Sequence, residues 1–226
     1  MTAAALPPLL LFGGGRMGGA MLKGWREKGL QRAVVVDPSP NAASLAEGAA
    51  DRITVVSSLA EVPAGFAPKA VIVAVKPQIA GDLVPDLARF AGTAVFISIM
   101  AGKTLAWLAS HLGAEAAVVR AMPNLPASIG AGMTAACPGP HVSAGQRDLT
   151  IALLSAVGDA ALIEDESQID TVTAISGSGP AYGFLLAELL EKEAIARGIA
   201  PELARRLGRH TVAGAGAMLA EDGAVP

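Results

Sequence analysis

Six residues near the N-terminus, Gly13-Gly14-Gly15-Arg16-Met17-Gly18, follow the pattern G-x-G-x-x-G. This spacing suits an anionic group held by the backbone. Gly13 permits a tight turn, Gly15 lets backbone approach a pyrophosphate, and Gly18 lets a helix pack on a strand. The pattern alone is weak evidence. Here it follows the strand-like run Leu9–Phe12 and opens a helix-like stretch, the context that gives it meaning. Free N–H groups at that helix start, from Gly14 to Gly18, then face the anion. Asp37 ends the second strand-like run, near the spacing at which an acid bonds a ribose 2′-hydroxyl. Its charge repels the additional phosphate of NADPH, whereas Ser39, in the turn Pro38-Ser39-Pro40-Asn41, can donate to one. The expected cofactor is NADH or NADPH, with Asp37 leaning towards NADH.

Two further sets stand out. Val75-Lys76-Pro77 lies at the carboxyl end of an apolar run, Val71–Val75, where ligands bind in open α/β sheets. Ser176-Gly177-Ser178-Gly179-Pro180 places hydroxyls and unencumbered N–H groups before a helix opened by proline. Such a corner suits a carboxylate or the wall of a nicotinamide pocket. Plain N-capping by Ser178 is the structural alternative.

These residues need a scaffold. Short β-branched runs at Leu9–Phe12, Val34–Val36, Ile53–Val56, Val71–Val75, Val95–Ile99 and Ala117–Val119 alternate with helical stretches. One helix carries Met17, Met21, Trp25 and Lys28 on a single stripe and stops at Gly29. Alternation of this kind predicts a parallel, doubly wound sheet covered on both faces. After one more strand candidate, Ala160–Ile163, the texture becomes helical, with Pro180–Arg197 and Pro201–Glu221. The fold expected is a Rossmann-type α/β domain over residues 1–160, followed by an all-helical domain over 161–226, with the change near 158–167.

Composition narrows the class. The 226 residues are 52% apolar, contain 26 glycines and carry a net charge of −3. No basic run suggests a nucleic-acid partner. A lone Cys137 excludes an internal disulfide, and His111, His141 and His210 are too scattered for metal-ligand spacing. Met1–Pro8 has no positive leader, and no apolar stretch approaches the roughly 20 residues of a membrane span. A cytoplasmic protein without membrane contact is expected.

Four more segments carry a resemblance. They are Val73-Ala74-Val75-Lys76-Pro77-Gln78, Ser98-Ile99-Met100-Ala101-Gly102, Arg120-Ala121-Met122-Pro123-Asn124-Leu125-Pro126-Ala127, and the run from Asp170 through Thr173 and Ser176 to Tyr182. In this order and spacing, from about Leu9 to Gly223, the chain resembles the pyrroline-5-carboxylate reductase family. The resemblance implies a Rossmann domain, a helical dimerisation domain whose helices interleave between two subunits, and an active site at the domain junction. It implies NAD(P)H as cofactor and reduction of 1-pyrroline-5-carboxylate to L-proline, the last step of proline synthesis.

It also implies roles. Lys76 and Pro77 lie against the cofactor ribose, with Val75. Met100, Ala101 and Gly102 line the nicotinamide pocket, and Pro123 and Asn124 stand beside it. Thr173 matches a family threonine that bonds the substrate nitrogen. A threonine hydroxyl is a poor acid, so orientation is its expected part, and bonding to its own helix backbone is the alternative. Thr173 and Lys76 are the expected catalytic pair. Met122, Asn124, Thr173, Ser176, Gly177 and Ser178 are the expected substrate contacts. Arg120 reads either as a site residue or as a structural ion-pair partner.

The chain departs from the family at three places. Arg16 stands where Asn is usual, and Leu125 replaces the usual Thr, removing a hydroxyl near the expected nicotinamide. The family also carries a Ser-Pro-Gly-Gly-Thr-Thr-type segment past the last helix, which helps hold the substrate carboxylate. The sequence ends at Pro226 without it, and activity is expected in a chain that carries it.

Rival classes fit less well. β-Hydroxyacid dehydrogenases and ketopantoate-type reductases need a buried lysine on the interdomain helix, and Pro180–Leu190 has none; Lys192 sits between Glu191 and Glu193. Short-chain dehydrogenases need Tyr-x-x-x-Lys, but Leu186 is four residues after Tyr182. An inactive dinucleotide-binding remnant is the non-enzymatic alternative. The apolar faces of the last two helices exceed what a small subunit can bury, so a homodimer or an assembly of dimers is expected.

Overall fold

A computed structural model describes residues 5–221. They form two compact units that divide between Gly177 and Ser178.

The first unit holds, among the described residues, one eight-stranded sheet. Its strands are β1 (Leu9–Phe12), β2 (Ala33–Val36), β3 (Ile53–Val56), β4 (Ala70–Val73), β5 (Val95–Ser98), β6 (Val118–Met122), β7 (Gly132–Pro138) and β8 (Gly158–Leu162). The spatial order is β3-β2-β1-β4-β5-β6-β7-β8. The chain therefore reverses direction of travel at β1, and the crevice beyond the carboxyl end of β1 is where such sheets hold ligands. Its helices are α1 (Arg16–Glu27), α2 (Ala80–Leu83), α3 (Leu105–Leu112), α4 (Ala144–Leu154) and α5 (Ile169–Val172), the last running into a π-turn at Thr173–Gly177.

Strand side chains alternate between two cores, because successive residues of a strand face opposite sides of the sheet. Leu9, Leu11, Val35 and Ile72 pack with Met21 and Trp25 of α1 and with Leu153 and Leu154 of α4. Leu10, Phe12, Val34 and Val71 pack on the other side with Leu87, Phe90, Leu108 and Leu112. With both faces covered, the strands are apolar throughout rather than alternating. The Trp25 indole, fully buried, donates from Nε1 to the Leu153 carbonyl at 2.8 Å, which ties α1 to α4. Gly29 follows the helix at φ +80°, as the stop signal predicts. Lys28 does not continue the buried stripe: it forms the C-cap and is exposed.

Two expectations need correction. The sheet is not wholly parallel, since β7 runs antiparallel to β6. The β7 segment Gly132-Met133-Thr134-Ala135-Ala136-Cys137-Pro138 carries no strand signal of its own, because only Thr134 is β-branched. Its conformation comes from hydrogen bonding to β6 and β8 on either side. The second correction is at β4, which ends at Val73; Ala74 still donates to Phe12 at 2.8 Å before the chain turns through Lys76 and Pro77.

The second unit is a helical hairpin of α6 (Gly179–Ala196) and α7 (Pro201–Ala220). Pro180 and Pro201 sit in the first turns, where a missing N–H costs nothing. Gly208 sets the spacing: a Cβ there would lie 2.6 Å from the Ala187 carbonyl oxygen, so only glycine permits this approach. No residue of α6 is buried. No helix among the described residues is long and apolar enough to cross a membrane.

Candidate functional site

The glycine loop follows β1 directly. Gly13 has φ +102°, and a Cβ there would lie 2.7 Å from the Ala74 carbonyl group. Both facts demand glycine. Gly18 is also locked by packing, since a Cβ would collide with the Gly13 carbonyl oxygen. Gly15 differs. Its backbone is extended (φ −64°, ψ −168°), and a Cβ would meet nothing within 4 Å. Nothing inside the protein crowds this position, so the Gly15 backbone is open to a ligand approaching from solvent. Gly15 is also the N-cap of α1 and supplies no side-chain cap, and the first turn contains no acid. The uncapped N–H groups and the helix dipole favour an anion. Arg16 is exposed at this end, whereas Met17 packs against the core, which leaves Met17 and Gly18 only their backbones to offer a ligand.

Asp37 lies next to this loop. Its Oδ2 accepts the Gly14 N–H at 2.6 Å and its Oδ1 accepts the Ser39 N–H at 2.8 Å. The carboxylate therefore ties the glycine loop to the turn after β2. Each oxygen keeps a further lone-pair direction for a ligand hydroxyl. A cleft of about 710 Å³ opens here, lined by Gly13, Gly15, Asp37, Ser39, Val75 and Lys76 among others. A smaller recess of about 400 Å³ that shares Asp37 is lined by Gly14, Arg16, Asn41 and Ser44 among others. The chemistry and the open approach at Gly15 fit a dinucleotide. Pro77 forms the turn after Lys76, and Ala101 and Gly102 form an exposed turn after β5 with Gly102 at φ +72°.

A second group assembles where β6 ends. The Thr173 hydroxyl donates to the Ile169 carbonyl at 2.7 Å, the helix-backbone bond weighed above. Its proton is thereby engaged, and its oxygen can still accept. A Cβ on Gly177 would lie 2.8 Å from the terminal methyl of Met122, so Met122 covers the π-turn closely. Asn124 donates from Nδ2 to the Ser176 carbonyl at 3.2 Å and to Ser176 Oγ at 3.3 Å, while its Oδ1 accepts the Met133 N–H at 2.9 Å. Met122, Asn124, Thr173, Ser176 and Gly177 are thus brought together, and π-turns of this kind recur at functional sites. Lys76 belongs to the dinucleotide cleft. Ser178 begins the second unit at the N-terminus of α6 and makes no side-chain capping bond. Leu125 opens the short helical turn after Asn124 and is 41% exposed.

Arg120 is a structural ion-pair partner. It is only 9% exposed, and its guanidinium donates to Glu166 Oε1 at 2.9 Å. The same oxygen accepts the Leu105 N–H at 2.8 Å, so one carboxylate joins β6 to the start of α3. Glu166 was missed from sequence. The available signal was an arginine in an otherwise apolar strand, which requires a carboxylate somewhere in the fold.

Comparisons with known proteins agree in kind. Residues 9–102 match the family model described as NADP oxidoreductase, coenzyme F420-dependent, and residues 166–226 match the one described as pyrroline-5-carboxylate reductase dimerisation. The chain is 40% identical over 223 residues to a pyrroline-5-carboxylate reductase of Mycobacterium tuberculosis, covering 94% of this chain and 74% of that one. Among solved structures it is similar to a pyrroline-5-carboxylate reductase from Coxiella burnetii, with TM-score 0.87, 29% identity, and coverage of 96% of this chain and 82% of that one. It is also similar to a Plasmodium falciparum pyrroline carboxylate reductase with NADP bound, with TM-score 0.78, 27% identity, and coverage of 96% and 80%.

Proposed function

This chain belongs to the pyrroline-5-carboxylate reductase family, and we propose on that footing that it reduces 1-pyrroline-5-carboxylate to L-proline. The cofactor is NADH or NADPH. When bound, the reduced nicotinamide supplies a hydride to the imine carbon; the C=N π pair moves to nitrogen, which carries one proton, and the nicotinamide is oxidised by two electrons.

The protein's part is mainly placement, which accounts for most of the acceleration when the electrophile is already reactive. Gly15, Arg16, Met17 and Gly18 hold the pyrophosphate through backbone N–H groups, while Gly14, its N–H held by Asp37, keeps the loop in shape. Asp37 accepts from a ribose hydroxyl, and Ser39, Val75, Lys76 and Pro77 border the same nucleotide. Ala101 and Gly102 belong to the nicotinamide end, while Asn124, its amide engaged by Met133 and Ser176, supports the substrate side. Thr173, whose proton is engaged by Ile169, orients the protonated imine by accepting its N–H rather than by donating. Met122, Ser176, Gly177 and Ser178 face the substrate. The observation that carries this reading is Gly15: backbone left open at the mouth of a helix, with nothing inside the protein crowding it.

Two copies of the chain form a homodimer through the helical unit, whose apolar side chains on α6 are exposed. A cytoplasmic location goes with this reading, since reduced nicotinamides are held and regenerated there.

The test is a steady-state assay of 1-pyrroline-5-carboxylate reduction with each cofactor, alongside cofactor binding followed by nicotinamide fluorescence. In protein that carries the family's segment past the last helix, turnover is expected with both, and tighter binding of NADH because Asp37 repels a 2′-phosphate. Cofactor binding without turnover would favour the non-enzymatic remnant.

A further inference from the structure

We propose that Asn124 is a positioning residue that holds the Ser176 hydroxyl as a hydrogen-bond donor to the substrate carboxylate. The inference rests on the reading that Ser176 faces the substrate.

The orientation of the Asn124 amide follows from two backbone partners with single roles. The Met133 N–H can only donate, so the atom facing it at 2.9 Å is Oδ1. The Ser176 carbonyl can only accept, so the atom facing it at 3.2 Å is Nδ2. The amide cannot be reversed without setting donor against donor and acceptor against acceptor. Nδ2 also lies 3.3 Å from Ser176 Oγ. Since Nδ2 has only hydrogens to offer, Oγ accepts there, and the single hydroxyl proton is left for another acceptor. A carboxylate accepts only, so it is the complementary ligand.

The geometry also explains why an asparagine stands at this position. Its oxygen anchors it to β7, and its nitrogen reaches the π-turn 52 residues away in sequence. The two contacts to Ser176 fix both the backbone and the rotamer of that residue. A resemblance-based reading puts Asn124 against the nicotinamide, but both polar ends of its side chain already have protein partners.

Asn124→Asp separates these roles. The aspartate keeps an oxygen for Met133 and presents a second acceptor to the Ser176 carbonyl and hydroxyl, drawing the hydroxyl proton away from the substrate. The KM for 1-pyrroline-5-carboxylate is expected to rise about tenfold or more, as for loss of a hydrogen bond to a charged group. The Kd for NADH, from fluorescence titration, is expected to stay within about twofold. Ser176→Ala should raise KM by a similar factor, and the double variant should add little. With 1-pyrroline, which lacks the carboxylate, neither substitution should change KM. Asn124→Ala, which introduces no charge, provides a second route should the aspartate disturb folding; it is expected to raise KM for the carboxylate substrate in the same direction. A rise in NADH Kd with an unchanged substrate KM would make Asn124 a cofactor contact and overturn the proposal, as would full additivity in the double variant. If Ser176→Ala alone leaves KM unchanged, the assignment of Ser176 to the substrate fails instead.

Discussion

Every residue of β1, β2, β4 and β5 is buried, whereas α6 has no buried residue and exposes Phe184, Leu185, Leu186 and Leu189. The two units meet the same demand, removal of apolar surface from water, by different means. The sheet closes its core between its own helical layers. The hairpin packs α6 on α7 around Gly208 and Ala204 and leaves much of its apolar surface to something else. A unit built in the first way can hold a ligand loop rigidly against its own core. A unit built in the second way is specified to associate.

The largest effect should come from the exposed helix face. Leu186 and Leu189 are each 52% exposed. Covering a leucine is worth roughly 1.5–3 kcal/mol, so Leu186→Asp with Leu189→Asp should weaken self-association by about a hundredfold or more, read by sedimentation velocity. Unchanged association would show that a second copy does not cover this face. Next come two glycines of one loop. Gly13→Val should lower stability by about 1–3 kcal/mol, because the side chain meets backbone at a left-handed φ, and should also lose cofactor affinity. Gly15→Val should lower stability by no more than about 1 kcal/mol, the ordinary loss of a good N-cap residue, and still cut cofactor affinity by about tenfold or more, because its Cβ would stand in the open space the proposed pyrophosphate needs. Loss of stability at Gly15 with affinity intact would remove the case for a phosphate cradle. Gly208→Val should cost about 1–3 kcal/mol by overpacking, seen in the melting of the hairpin, with cofactor titration unaltered. The smallest change is expected at Cys137. Burial pushes its thiol up, and Glu166, Glu164 and Asp165 push it further. The thiol should therefore stay protonated at neutral pH and react with Ellman's reagent only in denaturant; rapid reaction of the native protein would contradict the closed core.

Much of the sheet unit was legible because its signals are local. Leu9–Phe12 followed by glycines is a strand, turn and helix start whatever else the chain does, and Gly29 stops α1 through its own φ. β7 was not legible, since its alanines have no strand preference and its conformation is imposed by β6 and β8. The site residues divide along the same line. Gly13 and Gly18 announce themselves by type and spacing. Asp37 was recognisable as an acid after β2, but its hold on Gly14, 23 residues earlier, was not.

By itself the sequence determined the alternation of strands and helices, the phosphate-type loop, and an ordered set of motifs specific to one family, because each is written in residues close together along the chain. Tertiary structure alone decided that Arg120 answers to Glu166, 46 residues away, that Asn124 clamps Ser176, and that the Thr173 proton is engaged by its own helix. Hydrogen-bond partners across such separations depend on where the sheet brings the chain back. A list of polar residues carries no record of which donor meets which acceptor.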